Sequence, residues 1–76
     1  MSNLPVQFGL VVKQLREELG VSQEQLAARA ELNRTYVGEV ERAKAMPSLA
    51  TIEKIARAFG LPVSQLLSRC EHTSNS

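Results

Sequence analysis

The sequence predicts an all-α domain of five helices, and three observations support this fold class. Apolar residues recur at intervals of three and four along most of the chain, which is the period of an amphipathic helix. Glycine, proline and helix-capping residues divide these apolar segments. No segment alternates apolar and polar residues as a half-buried strand does. The 76 residues suffice for one small domain, ordered over about residues 6–69 and followed by a polar tail at 70–76.

Composition excludes several classes of protein. No apolar run approaches membrane-spanning length and no signal peptide is recognisable, so we expect a cytoplasmic protein without a membrane partner. Nine basic and eight acidic residues give a net charge of +1, so any affinity for nucleic acid must come from how these charges are distributed. A helical module that binds only other proteins has the same composition and is kept as an alternative.

The first helix is predicted over residues 6–19, after a loose end at residues 1–4. Gly20 follows as the residue that ends the helix. The apolar residues of this helix recur at helical spacing and form one stripe, made of Phe8, Leu10, Val11, Val12, Leu15 and Leu19.

The second helix is predicted over residues 23–30. Ser22 is a favourable N-cap, and Gln25 follows three residues later, which completes the pattern of a capping box. In such a box the two side chains bond to each other's backbone N–H groups, so the start of this helix is well defined by the sequence alone.

The third helix is predicted over residues 34–43, with Asn33 as its N-cap. Only Glu31 and Leu32 separate it from the second helix. A connection this short makes the two helices cross at a steep angle instead of lying antiparallel. The rest of the chain is organised around this crossing.

Two further helices follow a proline. Pro47 prevents the third helix from extending, and Ser48 can cap a fourth helix over residues 49–59. Gly60 ends that helix, and a short fifth helix is predicted over residues 63–68. The apolar face of the fourth helix consists of Leu49, Ile52, Ile55, Ala56 and Phe59.

The spacing within the second and third helices resembles the helix-turn-helix of the phage lambda repressor and Cro family. With Gln23 as position one, six positions agree, namely Leu26, Ala27, Ala30, Leu32, Val37 and Val40. The family usually has glycine at position nine, where this chain has Glu31; a positive φ there would cost about 1 kcal/mol. The resemblance implies a five-helix lambda-repressor-like DNA-binding domain over about residues 8–67.

The same resemblance implies an ion pair between Arg16 and Glu41 that ties the first helix to the third. A solvated Arg16 is the alternative. The pair would have a structural role. Removal of one partner would leave the charge of the other without a counter-charge.

The third helix is expected to enter the major groove of DNA with its first turn. A turn of about 100° per residue places Val37 and Val40 toward the core and Gly38 on the opposite face, where it would leave a gap that permits close approach to DNA. Close packing, or simple tolerance of glycine, is the alternative for Gly38. Arginine can bond guanine, threonine can contact a thymine methyl, and glutamate can accept from cytosine. The candidates for base readout are Arg34, Thr35, Tyr36 and Glu39.

Five polar residues are candidates for contacts with DNA phosphates, namely Gln23, Asn33, Arg42, Lys44 and Ser48. Gln23 begins the second helix, where N–H groups and the positive end of the helix dipole favour an anion. Glu24 disfavours a phosphate, and it is kept as a candidate contact for RNA polymerase. A solvated side chain is the alternative for Lys44.

Recognition of one site in a genome requires more than one short helix. A homodimer with a two-fold axis can bind a palindromic operator in double-stranded DNA, with its recognition helices about 34 Å apart. The segment around the fifth helix is rich in apolar residues, and we expect Leu61, Val63 and Leu66 to form the dimer interface. Alternatively, these three residues and Leu67 all belong to the core of one chain.

The sequence offers no catalytic or metal site, and we expect no enzyme and no cofactor. His72 is the only histidine and lies near Cys70, the only cysteine, in the predicted tail. A zinc site needs three or four ligands, and no further ligands lie close to these two in the sequence. A glycine-rich phosphate loop and a nucleophile elbow are also missing.

The segment LNRTYVGEVERAKAMPS, in a chain without a second domain, resembles the controller proteins of restriction–modification systems. The resemblance implies a dimeric regulator that activates at low occupancy of its operators and represses at high occupancy. A phage or stress repressor of the same fold, or an antitoxin-like regulator with a protein partner, is the alternative.

Overall fold

The chain folds into five helices in the computed structural model, which describes the backbone of residues 3–73 and the side chains of residues 3–70. The part of the chain described contains no strand. The predicted all-α class with five helices is therefore confirmed. The helices are α1 (Leu4–Leu19), α2 (Gln23–Arg29), α3 (Arg34–Glu41), α4 (Leu49–Ala58) and α5 (Val63–Thr73).

A single core lies between the helices. α1 runs against both α3 and α5, while α2 contacts α3 and α4. The core therefore holds α3 from two sides and leaves one of its faces exposed. The largest fully buried side chains are Phe8, Val11, Val12, Leu26, Val37, Val40, Ile55, Leu66 and Cys70.

α1 begins two residues earlier than the sequence predicts, at Leu4 instead of Val6. Asn3 accepts a hydrogen bond of 3.3 Å from the backbone of Val6, and Pro5 lies in the first turn, where its missing N–H is not needed. The predicted loose end is therefore corrected at Asn3 and Leu4, and residues 1–2 lie outside the described residues.

α1 and α3 approach each other closely at Gly9. A Cβ at Gly9 would lie 2.5 Å from the carbonyl oxygen of Val40 and 2.7 Å from that of Glu41. Real Cβ atoms do not come this close to backbone oxygens, so only glycine fits at this position. Gly9 therefore lets α1 lie directly against the C-terminal half of α3.

α3 ends at Glu41, two residues before the predicted end. Ala43 adopts a left-handed conformation with φ of 61°, and the N–H of Lys44 donates to the carbonyl of Glu39 at 2.7 Å. This pattern ends a helix and satisfies its last carbonyl groups, although glycine usually occupies the left-handed position.

α5 continues to Thr73, five residues beyond its predicted end at Ser68. Cys70 is fully buried in the core, one turn after the equally buried Leu66, and its thiol donates to the Leu66 carbonyl at 3.5 Å. The predicted start of the polar tail at residue 70 is corrected, because the helix continues to Thr73, and residues 74–76 lie outside the described residues. The side chain of His72 lies outside the described residues.

Several predicted core residues lie on the surface. Leu10 and Leu19 of α1 are 45% and 52% exposed, and Leu49 at the start of α4 is 74% exposed. The stripe of α1 that α3 and α5 cover is narrower than the sequence pattern, and Leu49 directly follows the cap residue Ser48. These three assignments to the core are corrected here.

Candidate nucleic-acid interface

The turn between α2 and α3 sets the angle at which α3 leaves the core. The predicted capping box is present at the start of α2, where Ser22 Oγ accepts from Gln25 N at 3.0 Å and Gln25 Oε1 accepts from Ser22 N at 2.8 Å. Glu31 in the turn has φ of 57°, and the N–H of Leu32 donates to the carbonyl of Ala27 at 2.8 Å. Glu31 therefore adopts the positive φ for which a residue other than glycine incurs a steric cost.

The first turn of α3 presents its side chains outward. Asn33 Oδ1 caps the helix by accepting from Thr35 N at 2.7 Å and from Tyr36 N at 3.4 Å. Arg34 and Thr35 are exposed, whereas Tyr36 is half-buried and packs against the core. Glu39, one turn further on, is also half-buried.

The predicted ion pair between Arg16 and Glu41 is present. Arg16 donates from Nε to Oε2 of Glu41 at 2.7 Å and from Nη2 to Oε1 at 3.2 Å, while its Nη1 donates to the carbonyl of Val21 at 3.1 Å. The side chains are 14% and 4% exposed. The hydrogen bond with Glu41 raises the pKa of Arg16 against the opposing effect of burial, so the guanidinium stays charged.

Gln23 also contacts Glu41. Its Nε2 donates to Glu41 Oε1 at 2.9 Å. Since a carboxylate only accepts hydrogen bonds, the amide nitrogen of Gln23 must face Glu41. One N–H of Gln23 is therefore used inside the protein, and the second has no hydrogen-bond partner within the described residues. Sequence reasoning missed this contact because it joins residues of two different helices.

Two open recesses flank this contact on the surface. One, of about 400 Å³, is lined by Arg16, Ser22, Gln23, Glu24 and Arg34. The other, of about 200 Å³, is lined by Gln23, Arg34, Thr35, Gly38 and Arg42. Gln23 and Arg34 border both recesses, so the start of α2 and the first turn of α3 form one polar surface.

Gly38 agrees with the alternative of close packing and not with the expected gap. It is buried, and an added Cβ would meet the side chains of Arg42 and Gln23. The expected gap in the exposed face of α3 is therefore filled by these two side chains.

The other candidate phosphate contacts lie after α3. Lys44 is exposed in the turn, and Ser48 caps α4 by accepting from Thr51 N at 3.2 Å. Both lie on the connection between α3 and α4, at the opposite end of α3 from Asn33.

The three predicted dimer residues differ in their positions. Leu61 and Val63 are half-buried and pack against the core, so part of each side chain faces outward. Leu66 is fully buried within the chain, and its prediction as an interface residue is corrected. Its side chain fills the core contacted by α1 and cannot reach a second chain.

Other kinds of site are not found in the part of the chain described. Across residues 3–73 no helix is both long and apolar enough to cross a membrane. Within the same residues no three histidine, cysteine or acidic side chains come together as a metal site would require.

Comparison with known proteins identifies the class to which this fold and surface belong. A family model described as helix-turn-helix matches residues 12–66, and the chain belongs to this family of DNA-binding transcription regulators.

Within that family the chain groups with the control proteins. The control protein C.MunI from a Mycoplasma species is 39% identical over 72 residues, which are 93% of this chain and 97% of that protein. The crystal structure of the restriction-modification controller protein C.AhdI from Aeromonas hydrophila is 42% identical with a TM-score of 0.79, and the match covers 82% of this chain and 94% of that one.

A phage protein is also similar over a shorter part of its length. The immunity repressor of Bacillus phage phi105 is 41% identical over 59 residues, which are 78% of this chain but 41% of the repressor. The chain thus spans less than half of that relative, whereas it spans nearly all of C.MunI.

Proposed function

We propose that this protein is a dimeric, sequence-specific regulator of restriction–modification genes that binds a palindromic operator in double-stranded DNA. The observation that carries the proposal is the first turn of α3. There Arg34 and Thr35 are exposed on a helix whose far end is fixed by the Arg16–Glu41 ion pair. A rigid helix with exposed polar residues in its first turn is suited to the major groove.

Base readout is assigned to the exposed face of α3. Arg34 can bond O6 and N7 of guanine in a bidentate manner, and Thr35 can contact a thymine methyl or donate from its hydroxyl. Tyr36 and Glu39 are half-buried, so each offers only the outer part of its side chain for a base contact. We therefore rank Arg34 and Thr35 first among the four residues.

Phosphate contacts frame this face. Gln23 and Asn33 each use part of the amide inside the protein and keep N–H groups for a phosphate oxygen. Arg42 and Lys44 are exposed cations near the end of α3, and the hydroxyl of Ser48 follows. Contacts on both sides of α3 would fix its register on the duplex without reading the sequence.

Dimerisation is assigned to the surface around Leu61 and Val63. An open recess of about 340 Å³ lies at this surface. It is lined by residues 60–63 and by Glu53, Ala56 and Arg57 of α4. A two-fold axis at this surface would pair two copies through the same patch. The resemblance to control proteins supports a dimer that activates at low occupancy and represses at high occupancy, acting in the cytoplasm, with Glu24 as a candidate contact for RNA polymerase.

The test is a titration of the DNA immediately upstream of this protein's own gene. We expect saturable binding that survives excess random DNA and weakens with salt, with steps in occupancy that count dimers. Arg34→Ala should lower operator affinity by about 1–3 kcal/mol and relax the preference at one base pair. Arg29→Ala, which removes an exposed charge at the far end of α2, is the matched control.

The outcome against the proposal is equally defined. If operator and random DNA bind with the same affinity, or if Arg34→Ala has no more effect than Arg29→Ala, the protein does not read DNA through α3. The similarity to the phi105 repressor supports a phage repressor as the alternative function. An endonuclease and a methyltransferase gene next to this gene would distinguish the controller from that alternative.

A further inference from the structure

Gly38 lies in the middle of α3 beneath two side chains. A Cβ at this position would lie 3.0 Å from Nη1 of Arg42 and 3.6 Å from Oε1 of Gln23. A long side chain on a helix points back over the residue four positions before it, and Arg42 follows this rule. Because Gly38 has no side chain, the guanidinium of Arg42 can rest against the backbone of α3.

Arg42 is exposed, so a ligand can reach its guanidinium. Neither Arg42 nor Arg34 has an ion-pair or hydrogen-bond partner for its side chain within residues 3–70. Both line the recess of about 200 Å³, and none of its lining residues is acidic. The amide nitrogen of Gln23 faces Glu41, and its oxygen, which lies near Gly38, only accepts hydrogen bonds and does not attract an anion. The two guanidinium groups of Arg34 and Arg42 are therefore what favour an anion in this recess.

We propose that Gly38 is a positioning residue, which holds the Arg42 guanidinium in this recess so that it binds one phosphate of the DNA backbone. The inference rests on the proposed function, since it names how one phosphate is held at the same surface. Gly38 itself does not touch the DNA and acts only through Arg42.

The place of Arg42 favours a phosphate over a base edge. Bases are contacted by the N-terminal residues of a recognition helix, whereas Arg42 follows the last residue of α3. Its guanidinium lies over Gly38 together with the side chain of Gln23, the first residue of α2, and the helix before the recognition helix crosses the DNA backbone. The guanidinium fork also matches two phosphate oxygens.

The experiment compares Gly38→Ala, Arg42→Ala and the double variant. Each full-length protein is titrated with operator DNA and with random DNA at low and high salt, and its melting temperature is measured. We expect Gly38→Ala to raise the melting temperature by about 4 °C, because alanine favours a helix and its Cβ displaces only the flexible end of Arg42.

Affinity should change in the opposite direction to stability. Each single variant should lose about tenfold in affinity at low salt, equally for both DNAs, and the slope of log K against log salt should fall by about 0.9. On the Arg42→Ala background, Gly38→Ala should then change affinity by less than about twofold. A purely structural role of Gly38 would not produce higher stability with weaker binding.

Several results would overturn the inference. One is an unchanged DNA affinity of Gly38→Ala, and another is a lower melting temperature of this variant. A third is an equal loss of affinity on the wild-type and Arg42→Ala backgrounds, which would mean that the Cβ itself obstructs DNA. Relaxed specificity at one base pair with an unchanged salt slope for Arg42→Ala would replace the phosphate with a base.

The two proposals fail in different ways. If Arg34→Ala abolishes operator preference while Gly38→Ala leaves affinity unchanged, only the positioning role fails. If the wild-type protein does not prefer operator DNA, the proposed function fails, and the phosphate contact of a sequence-specific regulator fails with it.

Discussion

Gln23 and Glu41 are joined by a hydrogen bond of 2.9 Å, although they lie in different helices. The same carboxylate binds Arg16, so one acidic side chain connects α1, the start of α2 and the end of α3. The side chain of Glu41 is only 4% exposed, whereas Gln23 belongs to the surface that we assign to DNA. The orientation of α3 therefore depends on a polar contact as well as on the apolar core.

The first prediction concerns this carboxylate. Glu41→Gln should lower the free energy of unfolding by about 3 kcal/mol, because Arg16 then remains charged in a mostly buried position without a counter-charge. The measurement is urea denaturation followed by circular dichroism.

A matched control is available on the surface. Glu18 of α1 is exposed and lies outside the surfaces that we assign to DNA and to the dimer. Glu18→Gln should change stability by less than about 0.5 kcal/mol. Equal effects of the two substitutions would contradict a special role for the Arg16–Glu41 pair.

The second prediction concerns the turn between α2 and α3. Glu31→Gly should raise the free energy of unfolding by up to about 1 kcal/mol, because glycine adopts a positive φ without a steric penalty. Glu31→Gln removes the same charge but keeps the Cβ, so it should give no such gain. If both variants are equally stabilised, the charge of Glu31 and not its backbone is responsible.

The third prediction concerns the contact of α1 with α3. Gly9→Ala should destabilise the domain by about 1–3 kcal/mol or more, because its Cβ would overlap the carbonyl oxygens of Val40 and Glu41. Thermal unfolding monitors this loss. Gly38→Ala inserts the same methyl group at the other helical glycine and should act with the opposite sign. A stable Gly9→Ala protein would show that α1 can move away from α3 at little cost.

The fourth prediction concerns self-association. If the protein is the proposed dimer, Val63→Glu should convert it to a monomer in analytical ultracentrifugation, because a charge would be buried without a partner at the proposed interface. Leu19→Glu places the same charge on an exposed apolar residue of α1 and should leave the dimer intact. The proposed surface is wrong if Val63→Glu stays dimeric or if only Leu19→Glu dissociates the protein.

Local features of this fold could be predicted from the sequence, whereas contacts between helices could not. The caps at Ser22, Asn33 and Ser48 depend on neighbours two or three residues away, and all three are present. The ion pair of Arg16 with Glu41 was available only through the resemblance to a known family, because the residues are 25 positions apart.

The errors have a common physical cause. Leu10, Leu19 and Leu49 fit a helical apolar pattern, but burial depends on which neighbouring helix covers each face. Cys70 gave the opposite error, since one apolar residue in a polar segment carries little periodic signal. The cover of Gly38 by Arg42 depends on a side-chain conformation that no sequence pattern specifies.

Because Cys70 is buried, the reactivity of its thiol can report when α5 separates from the core. It is the only cysteine, and its thiol has no access to solvent while the last turns of α5 remain docked. A thiol reagent should therefore react only when α5 detaches or the domain unfolds, so the rate of labelling measures that opening without an added probe. The same rate, measured with and without operator DNA, would report how strongly DNA binding at α3 stabilises the docked position of α5.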